Sequence, residues 1–133
     1  MGTLPILIVL LLLIIPGSAL FRASARIDWR ILAAVPVSAS AFAFFAYRSD
    51  KRRAELEKWR VPESTLHPAE LCGGWPGAFL AQRKFRHKTA KASFQIIFWG
   101  IVLIHQLAAI DYLLDWRFAK YVGRHIETSH VRR

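Results

Sequence analysis

The stretch that decides the fold is LPILIVLLLLIIPGSALF, residues 4–21, and its centre, Ile6 to Ile15, is unbroken aliphatic sequence. An α-helix rises about 1.5 Å per residue, so roughly 20 apolar residues cross the hydrocarbon core of a membrane. The stretch therefore predicts a membrane-spanning helix. A cleaved signal peptide is the alternative, but that requires a positively charged start, and nothing before Leu4 is charged.

The bulk composition fits a membrane protein. More than half of the 133 residues are hydrophobic, yet the net charge is +10, so apolar blocks must alternate with charged loops. A basic balance points to nucleic acid or to an anionic membrane surface, and the spanning stretch makes the membrane surface the first interpretation. Because Cys72 is the single cysteine, no intrachain disulfide can form.

Two later blocks, residues 31–47 and 93–116, also have the length and composition of spanning helices. The stretch 66–82 between them differs, because the sequence GGWPG interrupts it at residues 73–77. Glycine and proline at this density argue against a continuous lipid-facing helix, and irregular backbone at membrane depth requires surrounding protein or water. We therefore predict a re-entrant or broken-helix segment; a fourth spanning helix is the alternative.

The predicted architecture is an all-α, integral membrane helical bundle that forms a single domain. It has three transmembrane helices plus the re-entrant segment, or four transmembrane helices in the alternative. The spacing of Asp50 and Arg53 predicts a short surface helix in the loop after the second span. Within residues 1–133 the boundaries are spans at 4–21, 31–47 and 93–116, a re-entrant or short span at 66–82, basic cytoplasmic loops at 48–63 and 83–91, and a polar tail at 117–133.

Lysine and arginine predict the orientation, since positively charged loops tend to stay in the cytoplasm. The loops at 48–63 and 83–91 carry eleven Lys or Arg residues, against eight in the first loop and the tail. With four spans the tail replaces the loop at 83–91, and the tally is again eleven against eight. Either arrangement predicts a cytoplasmic N-terminus, and charge does not choose between them.

A series of motifs runs through the middle of the chain. It reads R-x-P-E-S-x-L at residues 60–66, G-G-W-P-G-A at 73–78 and R-H-K-T-x-K-x-S-F at 86–94. In order and spacing, the series resembles the DUF1294 family of small bacterial membrane proteins, whose name records an unknown function. The resemblance covers residues 47–99 and implies a place in the bacterial inner (cytoplasmic) membrane. Some relatives carry a cold-shock nucleic-acid-binding domain ahead of the membrane part, where Leu4 here begins a hydrophobic helix.

Cations cluster just before the last span. Near an anionic leaflet each Lys or Arg contributes about 1 kcal/mol, so the cluster predicts a positive flank that anchors the helix. A sharper interpretation is a phosphate or head-group site, in which an arginine acts as a fork, a lysine as a point charge and glycine N–H groups as a nest. The candidate lipid- or anion-binding residues are Arg60, Arg86, His87, Lys88, Lys91, Gly73 and Gly74.

Acidic residues open the broken segment, and a carboxylate at membrane depth is costly and usually paired. Glu63 precedes the hydrophobic stretch and bases follow it, so a re-entrant fold returns both to one surface. We therefore predict that Glu63 pairs with Arg60 or Arg86. Glu63, Asp50 and Lys51 are the candidate structural pairing residues, and the Asp50-Lys51 pair also resembles the entry to the family's central region.

Polar residues also occur inside the last span, where ionisable groups are functional candidates by default. His105 lies near mid-span and is expected to form interhelical hydrogen bonds. Asp111 and Asp115 lie near the end of the span, within reach of interface water. His105 has no second ligand at helical spacing, so neither a metal site nor a cofactor is expected.

Three main classes of function fit the sequence, and a small transporter or channel formed by an oligomer is a further alternative. The first is a non-catalytic membrane protein whose cytoplasmic basic face binds anionic lipid head groups, a protein partner or a second copy. The second is a membrane enzyme acting on a lipid or small amphiphile, with His87 and Glu63 as an acid–base pair. The third is nucleic-acid association by analogy with the cold-shock relatives. The basic stretches lack aromatic stacking platforms, so direct nucleic-acid binding is not expected.

Overall fold

The computed structural model describes residues 3–57, 59, 62–87 and 89–131, with the backbone alone described at 63, 64, 125 and 127–131. Over these residues the chain is helical and contains no strand, which confirms the predicted all-α class. The helices are α1 (Thr3–Ala23), α2 (Trp29–Glu55), α3 (Glu63–Ala69), a π-helical turn (Glu70–Gly74), α4 (Trp75–Phe85), α5 (Ala92–Leu113) and α6 (Arg117–Val131).

Three helices, α1, α2 and α5, are long and apolar enough to cross a membrane, as the sequence predicts. They contain 21, 27 and 22 residues. The helices α1 and α5 run parallel, because the Gln106 amide donates a hydrogen bond to the Leu12 carbonyl at 2.7 Å and the C-terminal ends of both helices meet. The helix α2 runs the opposite way, since Tyr47 near its end contacts Phe94 at the start of α5, with ring centroids 6.0 Å apart.

The boundaries of α2 follow from local chemistry. The helix begins where the Asp28 carboxylate accepts a hydrogen bond from the Arg30 backbone N–H at 2.8 Å, as an N-cap does. It continues past Tyr47 to Glu55, so the charged residues form its last turns and not the separate surface helix that the spacing predicted. The reason is that this stretch contains no helix breaker, and Lys51 pairs with Glu55 one turn later at 3.2 Å.

Residues 63–85 form a broken helix that is folded as a re-entrant hairpin beside α2. The hairpin descends along α3, reverses at Gly73, where φ is +92°, and returns along α4. Its tip packs on Pro36, whereas its two arms contact Tyr47 and, just beyond α4, Asp50. Both arms therefore leave at the same end of the bundle, and the four-span alternative does not describe this structure. Pro36 and Tyr47 are 11 residues apart in α2, so the tip lies about 16 Å along α2 from Tyr47, a length equal to half of a hydrocarbon core ~30 Å thick.

Small residues allow the hairpin to lie this close to α2. A side chain at Gly77 would overlap the Ser40 carbonyl oxygen, and one at Gly74 would lie 2.6 Å from the Ala39 carbonyl oxygen. Close backbone approach of this kind is typical of helix packing in membranes. The hairpin is thus seated by backbone contact with α2.

The buried core lies in the half of the bundle that the hairpin fills. We call the end that contains Asp50 and His87 the Asp50 end, and the end that contains Arg22 and Asp115 the Arg22 end. The core is aromatic and draws on four helices and the start of the hairpin. Its members are Val9, Ala43, Tyr47, Leu66, Trp75, Ala78, Phe79, Ala81, Phe94, Phe98 and Val102.

Candidate functional site

A buried polar network occupies the Asp50 end, where the hairpin meets α2. Tyr47 and Asp50 are three residues apart, so they project from one face of α2, toward the hairpin. Both are fully buried, as is Glu70 in the π-helical turn. Buried polar and charged groups require partners, and each of these three has one.

Glu70 is the point on which the hydrogen bonds converge. Its carboxylate accepts a hydrogen bond from the Tyr47 hydroxyl at 2.5 Å and contacts Nδ1 of His67 at 2.8 Å. The Tyr47 hydroxyl accepts one from the Gln82 amide at 3.1 Å, and the Gln82 carbonyl accepts one from the Gln95 amide at 2.7 Å. This chain of donors joins α2, both arms of the hairpin and α5, so it ties the hairpin into the bundle.

His67 has hydrogen-bonding capacity that the network does not use. Its ring stacks on Phe94, with centroids 4.4 Å apart, and Nδ1 faces Glu70. Among the described residues, the buried Nε2 of His67 has no hydrogen-bond partner. With the ring proton on Nδ1, this nitrogen is a buried acceptor.

His87 forms the second carboxylate–imidazole pair of the site. Its Nε2 lies 2.7 Å from the Asp50 carboxylate, and its side chain is 13% exposed. A carboxylate in this position orients the ring and leaves the other nitrogen as a base, an arrangement that is used in acid–base catalysis. The described partner of His87 is thus Asp50. The side chain of Glu63 lies outside the described side chains, so its pairing with Arg60 or Arg86 and its acid–base role with His87 stay predictions.

The predicted anion-binding residues do not all meet. Arg86 ends α4 with a left-handed backbone (φ +47°), and Lys91 caps the start of α5; both are exposed. Gly73 and Gly74 lie at the hairpin tip, and the 11 residues of α4 separate them from Arg86 by about 16 Å. The glycine backbone and Arg86 are therefore at opposite ends of α4. Two further members of the predicted set, Arg60 and Lys88, lie outside the described residues.

A surface pocket at the end of α2 adds cations to the Asp50 end. Its volume is about 470 Å³. Two arginines, Arg52 and Arg53, line it together with Trp59, whose side chain is 86% exposed. Guanidinium groups bind phosphate in bidentate fashion, and tryptophan favours the head-group layer of a membrane. The pocket has the chemistry of an interfacial anion site.

The polar residues late in the last span have local structural partners. The Asp111 carboxylate accepts a hydrogen bond from the Phe118 N–H at 2.9 Å and so caps α6. Asp115 pairs with Arg22 at 2.5 Å. The described hydrogen bond of His105 is to the Ile101 carbonyl of its own helix, so the interhelical bond of this region belongs to Gln106 instead.

Sequence reasoning missed most of the buried network. It placed Tyr47 at the end of the second predicted span and gave no role to Gln82 or Gln95. The pairs Tyr47 with Asp50 and His67 with Glu70 each show a three-residue helical spacing, which could have flagged two polar faces directed at one point.

Comparisons with known proteins match the central region of the chain. The family model described as "Protein of unknown function (DUF1294)" matches residues 40–94, which include both histidine–carboxylate pairs. The "Uncharacterized protein YsdA" of Bacillus subtilis (strain 168) is 36% identical over 80 residues, covering 60% of this chain and 86% of that protein. No solved structure matches. The chain belongs to the DUF1294 family.

Proposed function

We propose that this is a multi-pass protein of the bacterial cytoplasmic membrane whose Asp50 end faces the cytoplasm and binds anionic phospholipid head groups. The observation that carries the proposal is the pocket of Arg52, Arg53 and Trp59 beside the return of the hairpin. The exposed cations Arg83, Lys84 and Arg86 lie toward this same end of the bundle. Such a surface attracts a leaflet of anionic lipid.

The orientation is supported by the distribution of charge. The hairpin brings the loops at 48–63 and 83–91 to one end, and these carry eleven of the 19 Lys and Arg residues. Orientation can be measured in a Cys72→Ala chain in which one residue at a time, Glu57, Thr89 or Ala25, is replaced by cysteine. An impermeant maleimide applied to intact spheroplasts should label position 25 and spare 57 and 89. Labelling of 57 or 89 from outside would contradict the orientation.

The head-group site can be tested with a local reporter. A fluorophore on a single cysteine at position 57, in the Cys72→Ala chain, is quenched by phospholipids that carry a nitroxide near the top of the acyl chain. Phosphatidylglycerol should quench more strongly than phosphatidylcholine, and Arg52→Gln with Arg53→Gln should remove that preference. The matched control, Arg117→Gln with Arg124→Gln, changes the charge equally at the other end and should leave it intact. Equal quenching by both lipids in the unmodified pocket would contradict the proposal.

A second function is favoured by the Asp50–His87 pair, with its 2.7 Å contact. In this alternative His87 is the general base of an enzyme that acts on a lipid or small amphiphile. The test compares lipid extracts of cells that express the unmodified chain, His87→Gln and the control His105→Gln. A lipid species that changes with the unmodified chain and with His105→Gln, but not with His87→Gln, supports the enzyme. Identical extracts from all three remove it.

A further inference from the structure

The half of the bundle beyond the hairpin tip contains a lateral groove. The hairpin stops at the level of Pro36, so the space that it fills at the Asp50 end continues as a groove toward the Arg22 end. The groove has a volume of about 980 Å³, within the range of ligand pockets. Its walls come from residues 13–23, 27–40 and 105–112, and the hairpin tip, with Cys72 and Trp75, closes its deep end.

The lining of the groove is mostly apolar. On α1, Leu13, Pro16 and Leu20 recur every three or four residues, and on α5 His105, Ala109 and Tyr112 do the same. One face of each helix is thus turned to the groove. Leu13 and Ala23 both line it and lie 10 residues apart in α1, which corresponds to a length of about 15 Å. That length equals the hydrocarbon depth of one leaflet, half of ~30 Å.

A cationic pocket lies at the mouth of the groove. Its volume is about 380 Å³, and Tyr112 lines both spaces, so they adjoin. Arg22, Arg26 and Lys120 face this pocket together with one carboxylate, Asp115. Arg22 is engaged by Asp115 in an ion pair, and Arg26 has no carboxylate within ion-pair distance in the part of the chain that the structure describes. The pocket therefore carries a surplus of positive charge.

We infer that the groove and the pocket together bind one anionic phospholipid of the leaflet at the Arg22 end. An acyl chain lies in the groove, and the phosphate meets Arg26 and Lys120. Charge selects this occupant over a second copy of the chain, because a two-fold interface here would bring the same cations against each other. The site is separate from the proposed head-group site at the Asp50 end and opens to the other leaflet.

The test titrates delipidated full-length protein in mild detergent with phosphatidylglycerol or phosphatidylcholine and counts bound lipid by native mass spectrometry. Arg26→Gln with Lys120→Gln should weaken phosphatidylglycerol binding at one site by about 30-fold. Each cation beside an anionic head group contributes about 1 kcal/mol, and 1.4 kcal/mol is a factor of ten. Phosphatidylcholine binding should not change in this variant. Ala33→Phe, which fills the groove, should abolish the same site for both lipids.

Matched controls separate this site from the other one. Ala41→Phe places the same side chain on an exposed position of α2 away from the groove, and Arg52→Gln with Arg53→Gln removes two cations at the Asp50 end. Neither should affect the groove lipid. The inference is overturned if the unmodified chain shows no preference for phosphatidylglycerol that depends on Arg26 and Lys120. It is also overturned if Ala33→Phe leaves lipid binding intact. A dimer of the unmodified chain that dissociates in the Ala33→Phe variant would likewise overturn it, because the groove would then be an interface between copies.

Discussion

The two ends of the bundle differ in how far their charged side chains are buried. At the Asp50 end the hairpin fills the space between the long helices, and Asp50 and Glu70 are fully buried among partners. At the Arg22 end that space is an open groove, and the principal ion pair, Arg22 with Asp115, has side chains that are 42% and 74% exposed. The re-entrant hairpin therefore creates the buried site, because the three long helices are present at both ends.

The largest effect is expected from a substitution that disrupts the close contact between the hairpin and α2. Gly77→Leu should leave little folded protein, because the new side chain would overlap the Ser40 backbone, which cannot move aside as a side chain can. Gly100→Leu is the matched control, since nothing lies within 4 Å of a side chain added there. Size-exclusion chromatography in detergent gives the folded fraction of each. A well-folded Gly77→Leu protein would show that close contact at Gly77 does not hold the hairpin against α2.

The two carboxylate pairs should differ in their contribution to stability. Asp50→Ala leaves the His87 ring nitrogen in a mostly buried site without its hydrogen-bond partner, and a polar group left buried in this way costs about 1–3 kcal/mol. Asp115→Ala removes an exposed pair, for which about 1 kcal/mol or less is typical. Equilibrium unfolding in mixed micelles measures both free energies. Equal losses would show that burial does not distinguish the two ends.

Two tyrosine hydroxyls, one at each end of the bundle, should also differ in their contribution to stability. Tyr47→Phe removes the group that links Gln82 to Glu70, and each polar group left buried without a partner costs about 1–3 kcal/mol. Tyr112→Phe is the control, since the described contacts of Tyr112 involve its backbone carbonyl and its ring and not its hydroxyl. We expect a loss of about 2 kcal/mol for the first and no measurable change for the second in the same unfolding assay. A silent Tyr47→Phe would argue against the network.

The smallest effect should be local to the Arg22 end. Asp111→Ala removes the cap of α6 and should lower the stability of that helix by about 1 kcal/mol. Amide hydrogen exchange across residues 118–124 should then accelerate about five-fold, with no change in the hairpin. Asp28→Ala, which removes the cap of α2, is the control and should leave α6 unaffected. Faster exchange throughout the hairpin would show that the two ends are coupled.

Much of the architecture was predictable because its signals are local. Runs of apolar residues mark the three long helices, and the glycines and proline at 73–77 mark the break. The helix α2 continues past the predicted span, which ends at Tyr47, because hydrophobicity stops there while helix propensity continues to Glu55. Hydropathy predicts where the membrane-spanning part of a helix ends. The helix itself ends where its backbone hydrogen bonds stop.

The set of elements could be predicted from the sequence: an all-helical chain with three segments able to span a membrane, a broken segment and an excess of basic charge in two loops. Helix packing determines how far along α2 the hairpin reaches, which half of the bundle stays open, and that His87 meets Asp50, 37 residues away. The physical reason is that apolar length and backbone breaks act within a few residues of the chain. The partner of a buried charge depends on which helices pack together, and here close contact at Gly77 sets that packing.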